Sequence, residues 1–67
     1  MDESSPEELE ELSQFALRVF ESKRDADLWL DEYHFFLKNR PINIAKTKEG
    51  LALIRSILAS ILYGGVA

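Results

Sequence analysis

Residues 51–63 read Leu-Ala-Leu-Ile-Arg-Ser-Ile-Leu-Ala-Ser-Ile-Leu-Tyr, an apolar run that ends on Gly64 and Gly65 with only Val66 and Ala67 beyond. Leu51, Ile54, Ile57, Leu58, Ile61 and Leu62 recur at three- and four-residue steps, the spacing of one buried helix face. Ala52, Leu53 and Ala59 widen that face beyond what one small bundle needs, and surplus apolar width implies a second contact surface. A glycine pair after a helix is a stop, because only Gly adopts positive φ without a Cβ penalty. The residues after Tyr63 are therefore either fraying coil or a short probe that enters something else.

At 67 residues the chain is read as a single domain, and a domain of this size buries only about 60% of the surface its unfolded chain exposes. It has no cysteine, so neither a disulfide nor a thiolate metal site supplements the core. Well-packed helices or a partner must do so, which favours a helical, cytoplasmic module. Met1-Asp2-Glu3-Ser4-Ser5 lacks the basic start and apolar stretch of a signal peptide. The run 51–63 is too short to span a bilayer and is interrupted by Arg55, Ser56 and Ser60.

The net charge of −4 argues against nucleic-acid binding, whose footprint is a basic face. Residues 1–37 hold eleven of the twelve acids against Arg18, Lys23 and Arg24, whereas Lys38, Arg40, Lys46, Lys48 and Arg55 face only Glu49 in the remainder. Two readings of this dipolar pattern stand side by side. Oppositely charged helix faces settle the packing of one half on the other, or the basic half meets an acidic partner.

Helix signals run along the whole chain. Ser5-Pro6-Glu7-Glu8 combines an N-cap, a proline at the first helical position and the glutamate of a capping box. Glu7, Glu8, Glu10 and Glu11 complement the positive end of the helix dipole. Leu9, Leu12, Phe15, Ala16, Val19 and Phe20 then carry the first helix from about residue 6 to 21. Ser22-Lys23-Arg24-Asp25 opens a second helix, with Ala26, Trp29, Leu30, Tyr33, Phe36 and Leu37 on one face. Trp29, Tyr33 and Phe36 fall at i, i+4 and i+7 and are expected in the core, with Phe35 and His34 off that stripe. A lone histidine forms neither a metal site nor a triad, so His34 reads as a surface or edge residue.

Asn39-Arg40-Pro41 ends the second helix, since Asn tolerates the left-handed conformation and Pro41 forces Arg40 into extended backbone. Ile42, Ile44 and Ala45 form a short helical turn beneath the others. Thr47 caps the last helix at Lys48-Glu49-Gly50. Gly50 costs about 1 kcal/mol relative to Ala inside that first turn, which makes sense where another backbone approaches closely. The chain is thus expected to be all-α, a small bundle of three main helices plus a short helical turn.

The succession Ala26-x-x-Trp29-Leu30, Arg40-Pro41-Ile42-Asn43-Ile44-Ala45, Thr47-Lys48-Glu49-Gly50 and Tyr63-Gly64-Gly65-Val66-Ala67 resembles the toxin-binding domain of the Xre/MbcA/ParS antitoxins of bacterial type II toxin–antitoxin systems. The resemblance covers residues 26–67. It implies an antitoxin that neutralises a cognate RES-type, NAD-consuming toxin by placing its C-terminal tail, Tyr63, Gly64, Gly65, Val66 and Ala67, in the toxin's active-site cleft. Four residues beyond Tyr63 reach roughly 13 Å when extended, and a terminal carboxylate can pair with arginines that hold an anionic cofactor. Many relatives carry an N-terminal helix-turn-helix domain. Here only about twenty-five residues precede the matching stretch, and that segment is acidic, so DNA binding is not expected.

The partner-binding face expected from these residues comprises the tail, Arg55 and Ile61 on the outer side of the last helix, and Arg40, Lys46 and Lys48. Self-association as a homodimer or higher assembly is expected through the last helix. No catalytic, cofactor-binding or metal-ligating residue stands out, and an enzyme would need a nucleophile–base pair, a phosphate loop or a metal cluster. The rival reading is a helical adaptor or homodimerisation module without a toxin.

Overall fold

Three side chains start the three long helices. Ser5 Oγ accepts the Glu8 N–H at 3.1 Å while Glu8 Oε1 accepts the Ser5 N–H at 2.8 Å, a reciprocal capping box. Ser22 Oγ accepts the Asp25 N–H at 3.2 Å, and Thr47 Oγ1 the Gly50 N–H at 3.0 Å. In the computed structural model, which describes residues 2–64, these caps open α1 (Pro6–Phe20), α2 (Lys23–Asp31) and α4 (Lys48–Leu62). A single turn, α3 (Pro41–Ile44), completes the set. The all-α bundle of three main helices and a short turn is therefore the fold. Among the described residues no helix is long and apolar enough to cross a membrane.

The core is built from the stripes the spacing marks out. Leu12 and Ala16 of α1 meet Ala26 and Leu30 of α2, Ala45, and Leu51, Ile54 and Leu58 of α4. Helix α1 packs on both α2 and α4, and α3 closes the far side by bridging α2 to α4. Ala16, Ala26 and Ala45 keep the backbones close. Leu12, Ile54 and Leu58 fill the space between and are almost fully inaccessible. Each contributes about 1.5–3 kcal/mol by leaving water.

Helix α2 stops at Asp31, well short of the Asn39-Arg40-Pro41 terminator. A continuing helix would give the Trp29 carbonyl to the N–H of Tyr33. Instead His34 Nε2 donates to that carbonyl at 2.9 Å, a side-chain bond that competes with the helical one. The chain then folds into a tight loop in which the His34 N–H reaches Asn39 O at 3.0 Å and the Lys38 N–H reaches His34 O at 2.8 Å. The left-handed residue is Lys38, with φ 56°, rather than Asn39, whose side chain accepts the Arg40 N–H at 2.7 Å.

The aromatic stripe expected in the core is consequently broken. Tyr33, Phe35 and Phe36 are 61%, 82% and 67% exposed, while Trp29 and Leu37 alone of that face pack against the core from its edge. His34 takes the edge position, half-buried with its ring 5.0 Å from Trp29 and 5.6 Å from Phe36, and from there it holds the loop.

The N-terminal segment has a role that its polar composition does not announce. Ser4 donates its N–H to Lys46 O at 2.7 Å and its hydroxyl to Ala45 O at 2.6 Å, and the Lys48 N–H reaches Asp2 O at 2.7 Å. Residues 2–4 thus run antiparallel to the α3–α4 junction.

That junction also explains Gly50. A Cβ there would lie 1.7 Å from the Ile44 carbonyl oxygen, a backbone atom that cannot swing aside. Helix propensity alone would make Gly50→Ala stabilising by about 1 kcal/mol. Overpacking of backbone on backbone outweighs this, and urea denaturation of Gly50→Ala should show a net loss of about 2 kcal/mol. A gain would mean that α3 and α4 can separate freely.

Candidate partner-binding interface

Helix α4 carries two apolar lines. Leu51, Ile54 and Leu58 point into the core, and Leu53, Ile57, Ile61 and Gly64 follow one another along the flank at helical spacing. Leu53 and Ile61 are 48% and 44% exposed. Ile57, Ser60, Ile61 and Gly64 line a shallow, mostly apolar hollow at the end of the helix. Tyr63, 71% exposed, stands next to it. The helix closes with the Tyr63 N–H on Ala59 O at 2.9 Å and the Gly64 N–H on Ile61 O at 3.3 Å, Gly64 taking φ 84°. A side chain with a Cβ would be strained there, so the stop is a conformational necessity.

Ile61, Tyr63 and Gly64 are therefore gathered at one exposed end of the bundle, whereas Gly65, Val66 and Ala67 lie outside the described residues. Arg55 is exposed but six residues from Ile61, roughly 120° around the helix, and it does not join the apolar flank. Lys48 opens the helix, roughly 22 Å along the axis from Tyr63. Lys46 precedes it, and Arg40 sits at the start of α3. Among the described residues, the structure does not bring Arg40, Lys46, Lys48 and Arg55 together with Ile61, Tyr63 and Gly64 into one site.

Two of the basic residues are engaged within the chain. Lys48 Nζ lies 3.2 Å from Glu8 Oε1, and the Arg40 guanidinium 3.8 Å from Asp31 Oδ1. These contacts join the basic and acidic halves, as solvent-exposed pairs of the kind that contribute little to packing. Lys46 and Arg55 have no carboxylate partner among the described residues. A second hollow, between α1 and α2, is bordered by Glu10, Gln14, Lys23 and Asp27. These side chains satisfy one another through Gln14–Glu10 and Lys23–Asp27 contacts.

One exposed surface lies outside the face expected from sequence, namely the Tyr33-Phe35-Phe36 loop. Its signal was four consecutive aromatic rings at 33–36, which a single helix face cannot accommodate. Compared with protein families, curated proteins and solved structures, the chain matches none of them.

Glu8 ties the N-terminus of α1 to that of α4. The Ser5 backbone N–H first, and the Lys48 ammonium second, hold its carboxyl below the usual carboxylate value. On acidification the unfolded chain takes up this proton before the folded one does. The contribution of Glu8 is thus complete at neutral pH and is lost as pH falls through its lowered folded value. Thermal melts at neutral and acid pH should show a smaller acid-induced drop for Glu8→Gln than for the natural chain. Parallel drops would mean that Glu8 is not linked to folding.

Proposed function

We propose that this chain is the toxin-binding module of an antitoxin, with a RES-type, NAD-consuming enzyme as partner. The apolar flank of α4 docks on the toxin, and the residues from Tyr63 to Ala67 occlude its active-site cleft.

The observation that carries this reading is how the residues of the antitoxin-like pattern divide. Ala26, Leu30, Pro41, Ala45 and Gly50 are buried, and Gly50 admits the backbone of Ile44. Their spacing is accounted for by the fold itself. Tyr63 and Gly64 are exposed and add nothing to the core. The positive φ accounts for Gly64, and a requirement from outside the domain accounts for an exposed aromatic at Tyr63, beside a hollow lined by Ile57 and Ile61. The docking role falls to this apolar end. Arg40 and Lys48 already answer acids of their own chain.

Three proteins decide the matter when titrated into a candidate RES-type enzyme taken from an adjacent reading frame, with binding and NAD consumption followed together. The full chain is expected to bind and inhibit. A chain ending at Leu62 is expected to bind without inhibiting. Ile61→Asp, which places a charge in the flank but leaves the core intact, is expected to weaken binding about tenfold or more, the equivalent of about 1.4 kcal/mol. If the full chain neither binds nor inhibits, the antitoxin reading falls, and a helical adaptor takes its place.

A further inference from the structure

We propose that the loop between α2 and α3 is a seam through which two copies of this chain associate, Phe35 and Phe36 of one copy meeting those of the other across a two-fold axis. This does not depend on the antitoxin reading, and it moves self-association from the flank of α4 to a different surface.

The backbone of the loop is held in one conformation. The Leu37 and Lys38 N–H groups both reach His34 O, at 3.0 and 2.8 Å, and the His34 N–H reaches Asn39 O at 3.0 Å. Leu37 anchors the far side against the core, and the His34 ring wedges between Trp29 and Phe36. Little backbone ordering entropy remains to be lost when a partner covers a surface held in this way. With Tyr33, Phe35 and Phe36 at 61%, 82% and 67% exposure, the three residues leave on the order of 400 Å² in water. A patch of that size on so small a molecule marks an interaction surface. It supplies about half of the roughly 800 Å² per partner of a stable dimer, and the flanking residues supply the rim.

Charge identifies the occupant as a second copy. Asp31 and Glu32 lead into the loop and Lys38 and Arg40 lead out of it, all exposed. Asp31 and Arg40 lie 3.8 Å apart across its base, which leaves Glu32 and Lys38 without an ion-pair partner among the described residues. An apolar loop whose two arms carry opposite charge is complementary to itself, because a two-fold axis can set the acidic arm of one copy over the basic arm of the other. An anionic membrane or a partner of single sign would meet like charge along one edge.

Sedimentation equilibrium of the full chain, the Phe35→Ser variant and the Ile61→Asp variant tests this, with circular dichroism confirming that each is folded. The natural chain is expected to dimerise, Phe35→Ser to raise the dissociation constant about tenfold or more, and Ile61→Asp to leave it unchanged. Glu32→Lys and Lys38→Glu should each weaken self-association, and an equimolar mixture of the two should associate more tightly than either alone. A natural chain that stays monomeric overturns the proposal, as does a dimer indifferent to Phe35→Ser or a mixture no tighter than its components. None of these results bears on toxin binding, which Ile61→Asp probes separately.

Discussion

Everything in this bundle is arranged around the contact of one backbone with another, the Ile44 carbonyl seated where Gly50 has no side chain. Because α3 and α4 meet there without an intervening Cβ, Ala45 is carried into the core and the first turn of α4 lies against it. That close junction also presents Lys46 O and the Lys48 N–H edge-on to the N-terminal segment, which pairs with both. The direction in which α4 leaves this junction decides which of its apolar lines faces α1. Leu51, Ile54 and Leu58 turn inward and Leu53, Ile57 and Ile61 are left on the flank as a result. An interaction of two backbones thus determines which side chains a partner can reach.

Local chemistry announced the helix starts, and it did so well. Ser5, Ser22 and Thr47 form caps whose partners lie within three residues, so nothing distant can alter them. The stop at Gly64 is equally local. Gly50 was legible as a demand for close approach, although not which backbone would make it. The end of α2 was not legible, because Trp29, Tyr33 and Phe36 fall at helical spacing and imitate a core face. What decides that end is one bond between a side chain and a carbonyl, His34 to Trp29, which no periodicity records. The pairing of residues 2–4 with the α3–α4 junction escaped for another reason. It joins backbones more than forty residues apart, and the side chains of Asp2 and Glu3 carry no sign of it.

The candidate site was readable in the same proportion. Ile61, Tyr63 and Gly64 stand together at the end of α4 because helical spacing places them there. Arg40, Lys46 and Lys48 flank the α3 turn, away from the end of α4, and tertiary structure sets two of them against Glu8 and Asp31. Charge segregation along a chain is thus ambiguous by nature. The same pattern serves an internal contact or an external one, and distance between elements is what separates them.

A domain of this length has too little interior to bury all of its large apolar side chains, so some exposure is inevitable. Where it falls is informative, because scattered apolar residues need no explanation whereas gathered ones do. Here they gather at two places with different physical character. The flank of α4 is aliphatic, regular and borders the exposed Tyr63 and Gly64, a surface that suits docking along a helix. The α2–α3 loop is aromatic, tightly turned and edged with both charges, a surface suited to meeting its own image. Any partner that binds only the folded state adds its binding free energy to a thin stability margin. For so small a core, covering either surface and stabilising the fold are the same event.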